Sequence, residues 1–302
     1  MDIPYRLYYR INKILLICLG QWPFQKLFHK YLCRIGYICA VMSITVPLIL
    51  RMLEVWGEID LVVECISIFA SQAGTFFKFL NYIFNGTKIK NLFFRMQTDW
   101  QSDILQPHLE ILKKYAMEGK KLTQIYGACM FTTLITFILM PVVPKLMDVV
   151  NPINTSRPLI YPLPLSYGYI NVDKYYIPIM IHADCAILIA ITTIVAMDTT
   201  YTVYVQHACG LFAALGDRLQ KLIRSNEKKF VDTNNTRKMD RATYQAVVDC
   251  IEMHQGAIRF ANAIESTHTI VLLLVIGVSV VSLSVSGYQV CPHFLKAYKR
   301  KI

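Results

Sequence analysis

Three groups of residues in this chain of 302 have types and spacing that could do chemistry. His207 and Cys209, in Gln206-His207-Ala208-Cys209-Gly210, supply half the donors of a tetrahedral metal site. No second pair with ligand spacing accompanies them, so a packed or hydrogen-bonded pair is the expected role. Asp184 interrupts an otherwise uncharged apolar run, where a carboxylate is costly and often functional. Its place near one end of that run leaves open a water-filled vestibule or a protonated carboxyl. Ser279, Ser282 and Ser286, with Gly277 and Gly287, share one helical face. Such a ladder permits close packing and interhelical hydrogen bonds, or lines a polar conduit.

Nothing else has catalytic spacing. P-loop, GxGxxG, GxSxG and HExxH patterns are missing, and the seven His never cluster as a membrane di-iron site requires. The nine Cys are scattered singly, mostly in apolar segments, and read as buried free thiols. Neither an enzyme nor a metal or cofactor is expected. A transporter lacks its inverted repeat.

The elements that must position these residues are membrane helices. The chain is 55% hydrophobic and 17% charged, against roughly 25% charged in average proteins. Residues 175–197 carry one charge, Asp184, and at about 1.5 Å per residue they cross a hydrocarbon core of roughly 30 Å. No Pro or Gly falls between Ile179 and His207, so the helix continues to 224 with Val205, Ala208, Leu211, Phe212, Leu215, Leu219 and Leu222 on one stripe. Further spans are expected at 35–50, short unless it reaches about 53, and at 61–85, 122–144 and 266–290. The fold class is therefore all-α: a polytopic transmembrane protein with five spans.

Charge sets the orientation. With the N-terminus inside, 22 Lys and Arg fall on the cytoplasmic side and 8 outside, so the positive-inside rule places the N-terminus in the cytoplasm. The net charge of +11 belongs to that topology and not to nucleic acid, since no basic stripe with interleaved aromatics stands outside the apolar runs. Asn154 is the sequon exposed to glycosylation, while those at Asn85 and Asn234 lie inside. Residues 1–34 then form a cytoplasmic and interfacial segment, 35–197 hold spans one to four, 198–265 a cytoplasmic helical region, 266–290 the fifth span and 291–302 a basic tail. That tail falls on the outer side, which suits neither the charge rule nor a natural end of the architecture.

Residues 225–240 are polar and without period, and read as a loop or linker. From Arg241 a second stripe begins (Tyr244, Val247, Val248, Ile251, Ile258, Ala261, Ile264) and runs into the fifth span. Two such helices should pair beneath the membrane. With one further partner they form a small helical domain, and their stripes either pack on each other or meet another subunit.

The residues themselves carry a resemblance. Residues 198–212 (DTTYTVYVQHACGLF), continuing to Gly216-Asp217-Arg218-Leu219, resemble the fourth-segment signature of the insect odorant receptor family in its hymenopteran form. Residues 19–23 (LGQWP) are similar to the family's LGxWP element, 167–178 to its second outer loop, and 254–289 to its fifth segment. The resemblance implies a seven-helix, odorant-gated cation channel subunit with inverted topology. It implies assembly, as a hetero-oligomeric tetramer, with a co-receptor subunit in the plasma membrane of olfactory sensory neurons. Its odorant, a small volatile molecule, would bind in the outer half among the second, third, fourth and sixth helices. The cytoplasmic helices would form the anchor where subunits meet, assigning Val205, Ala208, Leu211, Phe212, Leu215, Tyr244, Val248 and Ile251 to that interface. Pockets for volatile molecules are mostly apolar with few polar groups. The expected ligand contacts are thus Phe69, Gln72 and Ala73 on the second span, Thr133 and Phe137 on the third, and Met180, His182 and Ala183 on the fourth. The sixth and seventh spans do not follow Gln289, so the chain reads as truncated and is not expected to conduct. The alternative is a non-conducting membrane partner that co-assembles with or regulates complete receptors.

Overall fold

The computed structural model describes residues 7–151, 157, 160–232 and 241–299, with side chains for all of these but 145, 226–232 and 289–299. All regular structure among them is helical: α1 Arg10–Cys18, α2 Leu27–Glu54, α3 Ile59–Phe84, α4 Gly86–Gln101, a 3-10 turn Gln106–His108, α5 Leu109–Leu139, α6 Val142–Val150, α7 Tyr176–Asp232 and α8 Arg241–Lys299. Five stretches are long and apolar enough to cross a membrane: Leu27–Glu54, Ile59–Phe84, Gln106–Leu139, Tyr176–Ser225 and Arg241–Tyr288. The molecule is an all-α polytopic membrane protein with five apolar spans.

Four boundaries differ from the sequence reading, among them the start of the third span's helix, at Leu109 and not at Leu122. α2 starts at Leu27, eight residues before the expected span. Its first turns are tied to the preceding LGQWP turn, where Arg34 Nε donates to Gly20 O (3.0 Å) and Arg34 Nη2 to Gln21 Oε1 (2.8 Å). Gly20 has φ +67°, and a Cβ there would lie 2.5 Å from the Lys30 carbonyl oxygen, so only glycine makes this turn. The third span ends at Leu139 and not at Pro144. Pro141 disfavours helical backbone at Met140 and then caps the separate helix α6. Residues 225–232 continue α7 and are not linker, because they contain no Gly or Pro to end it. Residues 233–240 lie outside the described residues, as does Asn154 with its sequon.

The chain divides into two compact units. The first joins residues 1–14, 84–125 and 198–269; the second joins 15–83, 126–197 and 270–302. In the first, the core holds Phe93, Met96, Leu112, Tyr204, Ala214 and Phe260 from α4, α5, α7 and α8. Phe93 meets Tyr204 edge-on with ring centres 5.3 Å apart. In the second, Tyr37 of α2 stacks on Phe79 of α3 at 3.8 Å. Ser67 of α3 faces Ser282 (3.4 Å) and Ser286 (3.3 Å) of α8, so the ladder makes interhelical hydrogen bonds.

The thiols are not uniformly buried as expected. Of the eight described, Cys65 and Cys250 are buried, while Cys18, Cys39, Cys129, Cys185 and Cys209 are exposed. In a membrane span an apolar neighbourhood does not require protein burial, because lipid tails solvate such a face equally well.

Candidate ligand site and assembly surface

Gln72 stands at the middle of α3, nearly one turn before Thr75. Its Nε2 donates to Val41 O (3.2 Å) and Thr45 Oγ1 (3.0 Å) on α2. A carbonyl oxygen accepts only, so the amide nitrogen must face α2 and Oε1 must face away from it. That Oε1 is buried and has no hydrogen-bond partner among the described residues. Gln72 also lines a cavity of about 30 Å³ with Tyr37, Ala40 and Val41 of α2, Thr75 of α3, and Ala186, Ile189 and Ala190 of α7.

Nearer the start of α7, His182 links three segments. Its Nε2 lies 2.9 Å from Ser43 Oγ and its Nδ1 lies 2.8 Å from the Tyr167 hydroxyl. Ser43 donates its hydrogen to Ala40 O (2.9 Å), so His182 donates from Nε2 and accepts the Tyr167 hydroxyl at Nδ1. The neighbouring loop is fixed to α2 as well: Ser166 N donates to Pro47 O (3.1 Å), and Ser166 Oγ donates to Glu54. Ala183 is buried against Ile44, Leu48, Cys65 and Leu165. Asp184 is half-buried, and its Oδ1 is enclosed without a hydrogen-bond partner among the described residues.

The structure thus brings Gln72, His182 and Ala183 around α2. It leaves Ala73 and Met180 half-buried, and Phe69, Thr133 and Phe137 exposed. Thr133 donates to Cys129 O on its own helix (3.0 Å). Sequence reasoning missed the first-span residues Tyr37, Ala40, Val41 and Ser43. The signal was there in Tyr37, Ser43 and Thr45, hydroxyls that recur inside an apolar run.

The other unit is held by charged and ring pairs. His207 Nε2 meets Asp99 Oδ2 at 2.9 Å, and its ring packs on Phe260 with centres 5.0 Å apart. His207 is thus paired with Asp99 and not with Cys209, which is exposed. His108 Nδ1 meets Asp217 Oδ2 at 2.7 Å, and Lys221 Nζ meets the same oxygen at 2.6 Å. The Lys221 hydrogen bond, seconded by His108, holds the Asp217 carboxyl below the usual carboxylate range. Arg218 pairs with Asp249, Arg95 Nη2 donates to Gly256 O (3.2 Å), and Asn12 Nδ2 donates to Thr199 Oγ1 (2.8 Å). Burial raises the Tyr9 hydroxyl's pKa. α5 and α7 approach closely at Gly210, where a Cβ would lie 3.3 Å from Leu112.

The expected interface residues separate into two sets. Ala208, Leu211 and Leu215 are buried in the unit's own core, and Val248 is half-buried. Val205, Phe212, Tyr244 and Ile251 are exposed. With the exposed Leu219 and Ile258, these form two series at seven-residue steps: 205, 212, 219 on α7 and 244, 251, 258 on α8.

Five apolar spans and a charged helical unit define a polytopic helical membrane protein. The 7tm odorant receptor family profile matches residues 58–292, and the chain belongs to that family, whose members are odorant-gated ion channel subunits and not enzymes. The fold is that of a solved relative, the insect olfactory receptor OR5 from Machilis hrabei. The TM-score is 0.59 at 15% identity, over 93% of this chain and 70% of that one. Among curated proteins no relative matches in sequence.

Proposed function

We propose that the chain serves as an odorant receptor subunit of the hymenopteran type. It binds a small volatile molecule among its spans and assembles with a co-receptor, as part of a tetrameric cation channel in the plasma membrane of olfactory sensory neurons. The N-terminus is cytoplasmic, following the excess of Lys and Arg on that side. One observation carries the assembly reading: the exposed apolar series at seven-residue steps on α7 and α8. A helix that leaves Val205, Phe212 and Leu219 in water needs an apolar partner, and the heptad step suits a helix of a neighbouring subunit.

The test is co-purification of the full chain with an insect odorant co-receptor, together with recordings of odorant-evoked cation current. Phe212→Asp combined with Ile251→Asp should abolish co-purification while membrane insertion persists. Co-purification that survives both changes removes the series from the interface. Assembly without evoked current favours the non-conducting partner.

A further inference from the structure

We propose that the basic face of α5 over residues 113–124 is a docking site for the headgroup of a polyphosphoinositide lipid of the inner leaflet. From the receptor reading this takes only the cytoplasmic N-terminus, which puts the start of the third span at that leaflet.

The face follows from how α5 packs. Leu112, Ala116, Gly119 and Thr123 recur at steps of three and four and are all buried. Two close approaches turn them towards α7: a Cβ on Gly119 would lie 3.6 Å from Gln206, and one on Gly210 would lie 3.3 Å from Leu112. A stripe turned away from α7 then carries Lys113, Lys114, Met117, Lys120, Lys121 and Gln124. Lys114, Met117, Lys121 and Gln124 are exposed, and Lys113 and Lys120 are half-buried. Two lysines stand one turn before Met117 and two stand one turn after it. Lys113 is held by Glu110 at 2.6 Å. Lys114, Lys120 and Lys121 have no ion pair among the described residues. Glu118, the other acid of this stretch, lies on the flank beyond Lys114.

Height along the helix decides between anionic lipids. After Lys121 the helix is uncharged to its end at Leu139, so the upper pair, Lys120 and Lys121, sits at the edge of the hydrocarbon. The lower pair, Lys113 and Lys114, lies about 10 Å further from that edge at 1.5 Å per residue. The headgroup layer of one leaflet is only about 5–8 Å deep. A serine headgroup keeps its charges within that layer and meets the upper pair alone. An inositol ring phosphorylated on the edge away from its glycerol carries charge past the layer, where the lower pair can donate to phosphate oxygens as well. Topology alone asks for lysines near a span, but not for four of them on one face. Lysines clustered directly below a span are the pattern that anionic lipids recognise.

The test is photolabelling of the full chain in phosphatidylcholine nanodiscs with a phosphatidylinositol bisphosphate bearing a diazirine at its headgroup, mapped by mass spectrometry. Saturable label is expected on α5 around Met117. Unlabelled phosphatidylinositol bisphosphate should displace it at least tenfold better than phosphatidylserine, and better than soluble inositol trisphosphate by a similar factor. Lys114→Gln with Lys121→Gln should weaken labelling roughly thirtyfold, about fivefold for each lysine. Both positions are exposed and glutamine suits a helix, so an unchanged unfolding midpoint shows that the fold persists. Lys174→Gln, in the loop before α7, should change nothing. Equal displacement by phosphatidylserine, equal displacement by inositol trisphosphate, or labelling indifferent to the double change each overturns the proposal and leaves the receptor reading standing. Surface staining of an N-terminal tag on intact cells overturns the orientation and the inner-leaflet site with it.

Discussion

The two units differ in the charge of the side chains that tie their helices together. In the unit of 84–125 and 198–269, side chains reach across between helices: His207 to Asp99, His108 to Asp217, Arg218 to Asp249. In the other unit the ties between helices come from uncharged Gln72, Ser67 and Ser43. Hydroxyls of both units turn back on their own helix: Thr98 to Phe94 O, Thr123 to Gly119 O and Thr267 to Ala263 O in the first, and Thr45 to Val41 O, Thr75 to Ser71 O, Thr193 to Ile189 O and Ser279 to Val275 O in the second. In the second that is what hydrocarbon demands, since no water is present to satisfy a hydroxyl and the nearest carbonyl is one turn back. The lesson concerns what holds the spans together. Where self-satisfaction is the rule, the side chains that reach across, Gln72 and His182 above all, fix how the helices meet.

The sharpest way to break this contrast is to remove one ring from each core. Phe260 and Phe79 are both fully buried. Phe260→Ala should destabilise its unit by about 3–5 kcal/mol, the sum of transfer from water and cavity terms. Phe79→Ala should cost markedly less, because lipid is as apolar as the core and only packing is lost. Thermal unfolding and amide hydrogen exchange of the full chain in nanodiscs read both, and equal losses would erase the distinction.

The next effect in size concerns the paired imidazole. Asp99→Ala leaves His207, whose side chain is 1% exposed, without its partner. The expected loss is about 1–3 kcal/mol, measured by the same unfolding, with Asp99→Asn recovering part of it. A silent Asp99→Ala would show the pair to be incidental.

The smallest effect is a pH dependence. Asp217 has a depressed folded-state pKa. Its contribution to stability is therefore present above the ordinary carboxylate value near 4, and is lost as pH falls through the lower folded value. Asp217→Asn should flatten that acid limb of the unfolding midpoint. An unchanged limb would assign it to other carboxylates.

Much of this was legible beforehand. Uncharged runs made the five spans readable, and the unbroken period from 175 onward made α7 readable as one helix. The grouping of 84–125 with 198–269 was not, because its ties join residues more than 100 positions apart, such as Asp99 with His207 and His108 with Asp217. No local pattern encodes such a pairing. Among expected ligand contacts, Gln72 and His182 were legible as polar side chains inside apolar runs. Phe69 and Phe137 illustrate the limit, since an aromatic ring in a span has the same signature whether it faces lipid or protein. The register of α2 was obscured by Lys30 and Arg34, whose charges mask a helix that starts before the apolar run does.

The turn at Gly20 has a genetic consequence. Its left-handed backbone and the carbonyl 2.5 Å from any added Cβ exclude every other residue. Every single-base change at a glycine codon that alters the residue installs a Cβ. Among the alleles a population can reach in one step, that codon tolerates silent changes alone. Any missense allele there should segregate as a loss of the folded receptor, whatever odorant it serves.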